Sequence, residues 1–407
     1  MKLLHTSDWH LGHTLRDRSR AFEHAQFLGW LLDVVEEEQI DALLVAGDIF
    51  ETANPSADAQ ETWFRFLADT RARFPSLEVV IIGGNHDSPA RLNAANPILR
   101  ALDLRVVGGL PNVDGRLQPD QVVLPVQGRR GDRAWIVAVP FLRASDLPSG
   151  VSPDAFAEGV SMVYRGAVEH ASRVRQAHEP IIAMGHLHVQ GTRLSEESER
   201  KITGGSQQAL PPSVIPQGVA YAALGHLHLA QEVGAGHLRY SGSPIPLSMA
   251  EASYRHQVCV VDLDGASVRE VRERLVPRSV EMRRIPLQGS APIDEVLREL
   301  ATLPSKVSSP EQRHPFVEVV VSTSGPEPGL VDRIGQVVAD RAAFLVKVTR
   351  EAAPRADLAA PAPVVRRTFT PDELFERRWI REHATPPPAE FVSAFHELVD
   401  AANQETP

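Results

Sequence analysis

Val79-Val80-Ile81-Ile82-Gly83-Gly84-Asn85-His86-Asp87 is the stretch that decides the fold. A short β-branched block of strand length stops at two glycines. An amide, an imidazole and a carboxylate follow in direct succession. The same plan recurs outward along the chain. Leu3-Leu4 opens a strand that leads to Asp8-Trp9-His10, and Ala42-Leu43-Leu44-Val45-Ala46 leads to Gly47-Asp48. Further on, Ile181-Ile182-Ala183-Met184 precedes Gly185-His186, and Tyr221-Ala222-Ala223-Leu224 precedes Gly225-His226-Leu227-His228. Five apolar runs each hand over to metal-ligating residue types at a strand end.

Segments of helical period lie between these runs. Phe22, Leu28, Leu31, Leu32 and Val35 share one face. Residues Ser56 to Ala72 form a second such segment, with Trp63, Phe64 and Leu67 on its apolar face. Trp135-Ile136-Val137-Ala138-Val139 reads as one more strand, and Phe156, Val160, Val163, Ala167, Val168, Ala171 and Val174 mark a third helix. Strands alternating with helices argue a layered α/β domain, and strands apolar on both faces argue covered sheets.

The character changes after Tyr240-Ser241-Gly242-Ser243-Pro244 and the strand near Val258 to Leu263. Strands over Val317–Val321 and Phe344–Val348, with helices over Ile293–Leu303 and Leu330–Ala342, outline a small α+β domain without a catalytic motif. Boundaries are expected at 1–275, 276–350, an Ala/Pro linker at 351–367, and a helical tail at 368–407. In the tail Thr370 is the expected N-cap, with Pro371 at the first helical position. Leu374, Phe375 and Trp379, then Phe391, Phe395 and Leu398, give two short amphipathic helices. Such a pair needs its parent domain or a partner to cover its apolar face.

Composition bounds the class. The 407 residues exceed one simple core, and 43% hydrophobic with 23% charged residues is ordinary for a globular protein. No apolar stretch is long enough to span a bilayer, so no membrane is expected. The sole cysteine, Cys259, excludes an internal disulfide and sits in an apolar run. With no signal-peptide core at the N-terminus, a cytoplasmic setting is expected. The net charge of −10 is awkward for a protein gripping nucleic acid alone. Bound cations would offset part of it. Arginine groups at Arg16, Arg18 and Arg20, at Arg129, Arg130 and Arg133, and at Arg366 and Arg367 are most simply solvated faces.

The residue types at the five strand ends suit a pair of divalent cations. Asp8 and His10 alternate by two, so extended backbone would aim both to one side. Asp48 has two oxygens with which to span two ions. The Asn85 carbonyl is a neutral hard ligand, and His86 beside it is free to act on substrate, with Asp87 as a carboxylate to orient it. His186, His226 and His228 complete the set. Oxygen and imidazole donors without thiolate suit manganese, then iron or zinc. His188 imitates the pattern and is read as outer or irrelevant, as are His5, His13 and His256.

The ordered set resembles the calcineurin-like metallophosphoesterase superfamily, whose fold is a layered α/β/β/α sandwich. Asp8-Trp9-His10-Leu11-Gly12, Gly84-Asn85-His86-Asp87-Ser88 and Tyr240-Ser241-Gly242-Ser243-Pro244-Ile245-Pro246-Leu247-Ser248 are similar to the bacterial SbcD nuclease subunits, relatives of the MRE-type double-strand-break nucleases. The resemblance implies that Asp8, His10 and His228 hold one Mn²⁺, that Asn85, His186 and His226 hold the other, and that Asp48 bridges them. It makes His86 the catalytic histidine. Archaeal relatives carry a histidine where this chain has Glu51. The resemblance further implies cleavage of DNA, exonucleolytic on duplex ends and endonucleolytic on single strands and hairpins, in DNA repair, recombination and replication. The implied partner is an SbcC-type ABC ATPase with a coiled coil, docked by the tail, around a homodimer within a heterotetramer. None of Lys2, Lys201, Lys306 and Lys347 follows a glycine, so the chain has no Walker A motif and ATP use belongs elsewhere. A phosphatase or phosphodiesterase of the same superfamily, and a non-enzymatic scaffold, are the competing alternatives.

Overall fold

Leu3 and Leu4 are both fully buried, yet they enter different cores. That split organises the molecule. The computed structural model describes residues 1–407 except 114–115, 149–150, 152–154, 195–208, 235–236, 353–370, 384, 389 and 396–407. Strands β1 (Lys2–Thr6), β2 (Ala42–Ala46), β3 (Glu78–Ile82) and β4 (Leu104–Val107) run parallel. Helices α1 (Ala21–Glu37) and α2 (Ala57–Arg73) make the first two crossovers. A second sheet holds β5 (Val123–Gln127), β6 (Arg133–Ala138), β7 (Ile181–His186), β8 (Tyr221–Gly225), β9 (Gln231–Val233) and β10 (Leu238–Tyr240), in the order β9-β10-β8-β7-β6-β5. Helix α3 (Phe156–Val174) crosses from β6 to β7, which run parallel. The chain then returns to the first sheet through β11 (Gln257–Asp264) and β12 (Ser267–Leu275), giving β12-β11-β1-β2-β3-β4. The first strand is therefore interior, held by β2 on one side and by antiparallel β11 on the other.

Alternation sorts the side chains. Leu3, Leu44, Val80 and Ile82 share a core with the second sheet and α3, while Leu4, Leu43, Val45, Val79 and Ile81 share one with α1 and α2. Two sheets packed face to face and flanked by helices make the α/β/β/α sandwich. Ser56 caps α2 by accepting from the Ala59 amide at 3.2 Å. Phe64, expected on the apolar face of this helix, is 45% exposed, and Phe66 is buried in its place. Phe22 likewise leaves the α1 face and packs with Met282, Phe316 and Phe344.

That last cluster joins the sandwich to a third sheet of β13 (Met282–Ile285), β14 (Phe316–Thr323) and β15 (Phe344–Ala352). Its strands are all parallel, linked by α4 (Ile293–Ala301) and α5 (Leu330–Ala339) over a separate small core. Two arginines expected on a solvated face belong to the junction. Arg20 is fully buried, paired with Glu23 and stacked 4.9 Å above Phe316, and Arg18 lies 4.5 Å above Phe344. Residues Met1–Ala352 form one compact unit and Ala353–Pro407 a second. In the second, α6 (Pro371–His383) begins at the proline. Phe375 stacks on Phe395 at 4.4 Å, and Trp379 meets Phe391 at 4.7 Å. Thr370, Arg366, Arg367, Leu398 and the side chain of Leu374 lie outside the described residues.

Candidate metal centre

The C-terminal ends of β1, β2, β3, β7 and β8 lie together. Four of them release their chain into a turn that carries the candidate ligands, and β7 carries His186 as its last residue. The turns are sharper than extended backbone. Asp8 (φ 54°), His10 (φ 51°), Asp48 (φ 50°) and His226 (φ 103°) all have positive φ. Extended backbone is thus the wrong reason for expecting Asp8 and His10 on one side. They converge through left-handed turns, a conformation unfavourable for non-glycine residues and typical of functional sites. Two glycines make room. A β-carbon at Gly47 (φ 91°) would strike the His186 ring, and one at Gly84 would strike the Asp48 carboxylate.

Ligand-type atoms of Asp8, His10 and His228 all lie within 4.8 Å of one another, as do those of Asp8, Asp48 and His186, and those of His10, Asp48 and His86. Asp48 Oδ2 stands 3.6 Å from His10 Nε2 and 3.3 Å from His186 Nε2, between two groups of side chains. The Asn85 amide oxygen is 2.9 Å from both His186 Nε2 and His226 Nδ1. All seven expected ligands therefore meet in one place.

The far sides of three imidazoles are also engaged. His10 Nδ1 pairs with Glu51 Oε2 at 2.9 Å, His228 Nδ1 with Glu251 Oε1 at 2.9 Å, and His186 Nδ1 with the Ala46 carbonyl at 2.9 Å. This arrangement fixes tautomers and aims the opposite nitrogen inward, as metal-ligating histidines require. His10 Nε2 is buried with no hydrogen-bond partner among the described residues. An orphaned nitrogen facing carboxylates, in a set of oxygen and imidazole donors, fits a dication.

The resemblance marks the Glu51 position but not its role, and Glu251 escapes a reading of the sequence altogether. Their pairing with histidines 41 and 23 positions away leaves no local signal. Asp87 is a correction. The sequence assigns it to orienting His86, but its carboxylate accepts from the amides of Ile49, Phe50 and Gly84 at 3.1, 3.0 and 2.8 Å. It ties the β3 turn to the β2 turn. His86 Nδ1 instead donates to the Glu51 carbonyl at 2.7 Å. His188 lies beside His226, with ring centroids 6.5 Å apart. His5, buried between the sheets, bonds Tyr221 OH at 2.9 Å, and His256 bonds the Ser243 carbonyl at 2.8 Å.

Electrostatics follow from burial and proximity. Burial pushes the Asp8 carboxyl up, against the pull of His186 and His228. Burial also opposes the charge of Asp48, but His186, His10 and His86 hold it well below the carboxylate range. His186 is buried too, yet Asp48 lifts it to about 9. Burial lowers His86 despite Asp48, and burial with the nearby His186 depresses His226. A cavity of about 460 Å³ opens over the cluster, lined by His10, His86 and His228 from the sandwich and by Val346 and Lys347 from β15. Among the described residues no helix is long and apolar enough to cross a membrane.

Known proteins match this chain in two regions. Residues 1–230 match the calcineurin-like phosphoesterase profile, and residues 278–383 match a profile described as the type 5 capsule protein repressor C-terminal domain. The SbcD subunit of the Rhodobacter capsulatus SbcCD nuclease is 38% identical over 390 residues, covering 92% of this chain and 93% of its own. Its counterpart in the Escherichia coli K12 SbcCD nuclease is 34% identical over 296 residues, 68% of each chain. Among solved structures, a Staphylococcus aureus putative 5'-nucleotidase in complex with alpha-ketoglutarate gives a TM-score of 0.41 at 12% identity, covering 68% of this chain and 55% of that one. The strand-end cluster and the two nuclease matches point the same way: the chain belongs to the calcineurin-like phosphoesterase family, within it to the SbcD nuclease subunits, and is a metal-dependent phosphodiesterase.

Proposed function

We propose that the protein is a Mn²⁺-dependent DNA nuclease, exonucleolytic on duplex ends and endonucleolytic on single-stranded and hairpin DNA. In this reading Asp8, His10 and His228 hold one ion, Asn85, His186 and His226 hold the other, and Asp48 spans both. The observation that carries it is the position of Asp48 Oδ2 between His10 and His186, with the other ligands closing around it. Bound there, two cations would supply charge neutralisation for a phosphodiester and an acidified water as nucleophile. The remaining steps belong to the protein. Asp48 and Asp8, both buried carboxyls, fix where positive charge can reside. Glu51 and Glu251 keep His10 and His228 in the orientation that points inward. With its Nδ1 proton committed to the Glu51 carbonyl, His86 keeps Nε2 for the substrate: neutral, that nitrogen accepts a hydrogen bond, and only in the imidazolium form, which burial disfavours and Asp48 favours, would it give a proton to the departing oxygen.

Residues 276–350 act as a cap that helps seat DNA, a role supported by β15 lining the cavity. The tail, 368–407, docks on an SbcC-type ABC ATPase through Phe375, Trp379, Phe391, Phe395, Leu374 and Leu398, in a heterotetramer built on a homodimer. The chain carries no Walker A motif of its own, and an acidic protein that relies on a partner to hold DNA is electrostatically reasonable. A cytoplasmic setting fits DNA as substrate. The test is cleavage of hairpin, single-stranded and duplex-end DNA, with bis(p-nitrophenyl) phosphate as the small comparison ester, in Mn²⁺, with and without the ATPase. DNA cleavage that the ATPase extends on duplex ends is expected. Turnover of the small ester with no cleavage of any DNA, alone or with the ATPase, overturns the proposal.

A further inference from the structure

The two halves of the centre are built from different electrical material. Around Asp8, His10 and His228, the ligands comprise one carboxylate and two imidazoles, and both imidazoles are backed by carboxylates. Glu51 Oε2 stands 2.9 Å behind His10, and Glu251 Oε1 stands 2.9 Å behind His228. Glu251 is fully buried and also accepts from the Leu247 amide at 2.7 Å, so its position is fixed from two sides. Around Asn85, His186 and His226 every ligand is neutral in the metal-binding form. The support behind His186 is a backbone carbonyl, that of Ala46. Asp87, the carboxylate next in sequence to this group, is spent on three backbone amides. Asp48 is common to both halves and cannot tell them apart. Asp8 lies close to both halves, since its carboxylate accepts from the His226 amide at 2.9 Å and stands within 4.8 Å of His186. Among the described residues, one half thus has two carboxylates, Glu51 and Glu251, behind its imidazoles and the other none.

Charge and orientation act in the same direction. A carboxylate behind an imidazole polarises the N–H toward itself and strengthens donation from the opposite nitrogen. In a buried setting the full negative charge also attracts a dication at longer range, where a carbonyl offers only a dipole.

We infer that Glu51 and Glu251 make the cation positions unequal, so that the one framed by Asp8, His10 and His228 fills first and tightly while the one framed by Asn85, His186 and His226 fills second and weakly. This rests on the two-cation reading above and adds an order of filling. The protein then carries one resident ion, and the second joins as its concentration rises. Glu51 and Glu251 are positioning residues, since each reaches the ions only through a histidine.

The test is Mn²⁺ binding to the chelator-stripped full chain, followed by the EPR signal of free Mn²⁺ and by calorimetry. Two classes of site are expected, at least about 10-fold apart. Glu251→Gln and Glu51→Gln keep a side-chain oxygen for the histidine N–H but remove the charge. Each is expected to weaken the tight class about 10–100-fold and leave the weak class within a few-fold. Asn85→Ala is expected to abolish the weak class alone. Should Glu251→Gln fail to fold, Glu51→Gln, at a side chain one-third exposed, reads the same quantity. Two equal sites in the wild type, or loss confined to the weak class in either variant, overturns the inference. A chain that cleaves DNA and binds two equal ions refutes only the filling order. A chain that binds no Mn²⁺ refutes the two-cation reading itself.

Discussion

His86 sits among the candidate ligands, and the reading above gives it a different task, action on the substrate. Its ring is held by the Glu51 carbonyl, which fixes the tautomer but adds no charge. His86→Ala is therefore expected to keep its Mn²⁺ while turnover falls about 10²–10⁴-fold, the range for loss of a general acid. Metal content by elemental analysis beside steady-state cleavage decides it. Asp48→Ala is the contrast and should lose metal. Equal metal loss in both variants would place His86 among the ligands instead. Asp87 carries a different prediction. Replacing it by Ala leaves three buried amides without an acceptor, so Asp87→Ala should lower stability by about 3 kcal/mol or more in urea titration, at about 1–3 kcal/mol per orphaned group. A variant as stable as wild type would mean those amides find other acceptors. At this scale the seven candidate ligands and His86 are legible in the sequence, because Asp, Asn or His at the end of an apolar strand, after a glycine in four of the five cases, stands out in place. The support that Glu51 and Glu251 give is not, although the resemblance marks the position of Glu51. They are two among 52 acidic residues, and only the fold brings them behind His10 and His228.

Periodicity reveals the elements, and it gives a helix its existence more surely than its phase. Residues Ser56 to Ala72 have the pattern of a helix, and α2 spans Ala57–Arg73 with Ser56 as its cap. The nearby Phe64 and Phe66 leave the facing ambiguous, since Trp63 and Leu67 flank them both. Contact with Trp9, at 5.2 Å between ring centroids, selects Phe66. Phe66→Ala should accordingly cost about 3–5 kcal/mol, whereas Phe64→Ala should stay within about 1 kcal/mol, by denaturant midpoints at constant slope. Equal losses would mean the helix is rotated from the position described. Strands β2 and β3 are legible because both of their faces are apolar, a pattern that a doubly covered sheet produces. The left-handed turns after them are not. Asp and His enter positive φ more readily than most non-glycine residues but do so only in a minority of cases, so Asp8, His10 and Asp48 do not by themselves announce it, and the convergence on one point holds them there.

The molecule as a whole stores neutral histidines away from its centre. His5 lies between the sheets and His24 lies on α1, both fully buried, and burial drops each to about 3. The folded value is depressed below the unfolded value of about 6.5. Above that pH neither state is protonated and nothing is lost. As pH falls below it, the unfolded chain takes up protons that the native chain refuses, and stability declines until about pH 3. The loss is about 2 kcal/mol for each histidine between pH 6.5 and 5. Thermal or urea unfolding of His5→Gln and His24→Gln against wild type across that window checks the slope. An acid slope unchanged in both variants would mean other groups carry it. The third sheet and the tail show in outline from the sequence, but the packing of the third sheet on the sandwich does not. Burial of Arg20 against Phe316 depends on a partner nearly three hundred positions away. The same long reach governs β1, whose outer neighbour is β11, with Leu3 opposite Val261 and Leu4 opposite Val260. During synthesis the first strand emerges early and waits for residues 257–264 before that flank is closed. Until then it presents a bare ladder of amides and carbonyls, a template for misassembly with a neighbouring nascent chain. Any shortened version of the protein that stops at residue 230 inherits this flaw permanently, so a minimal soluble fragment has to run past Asp264.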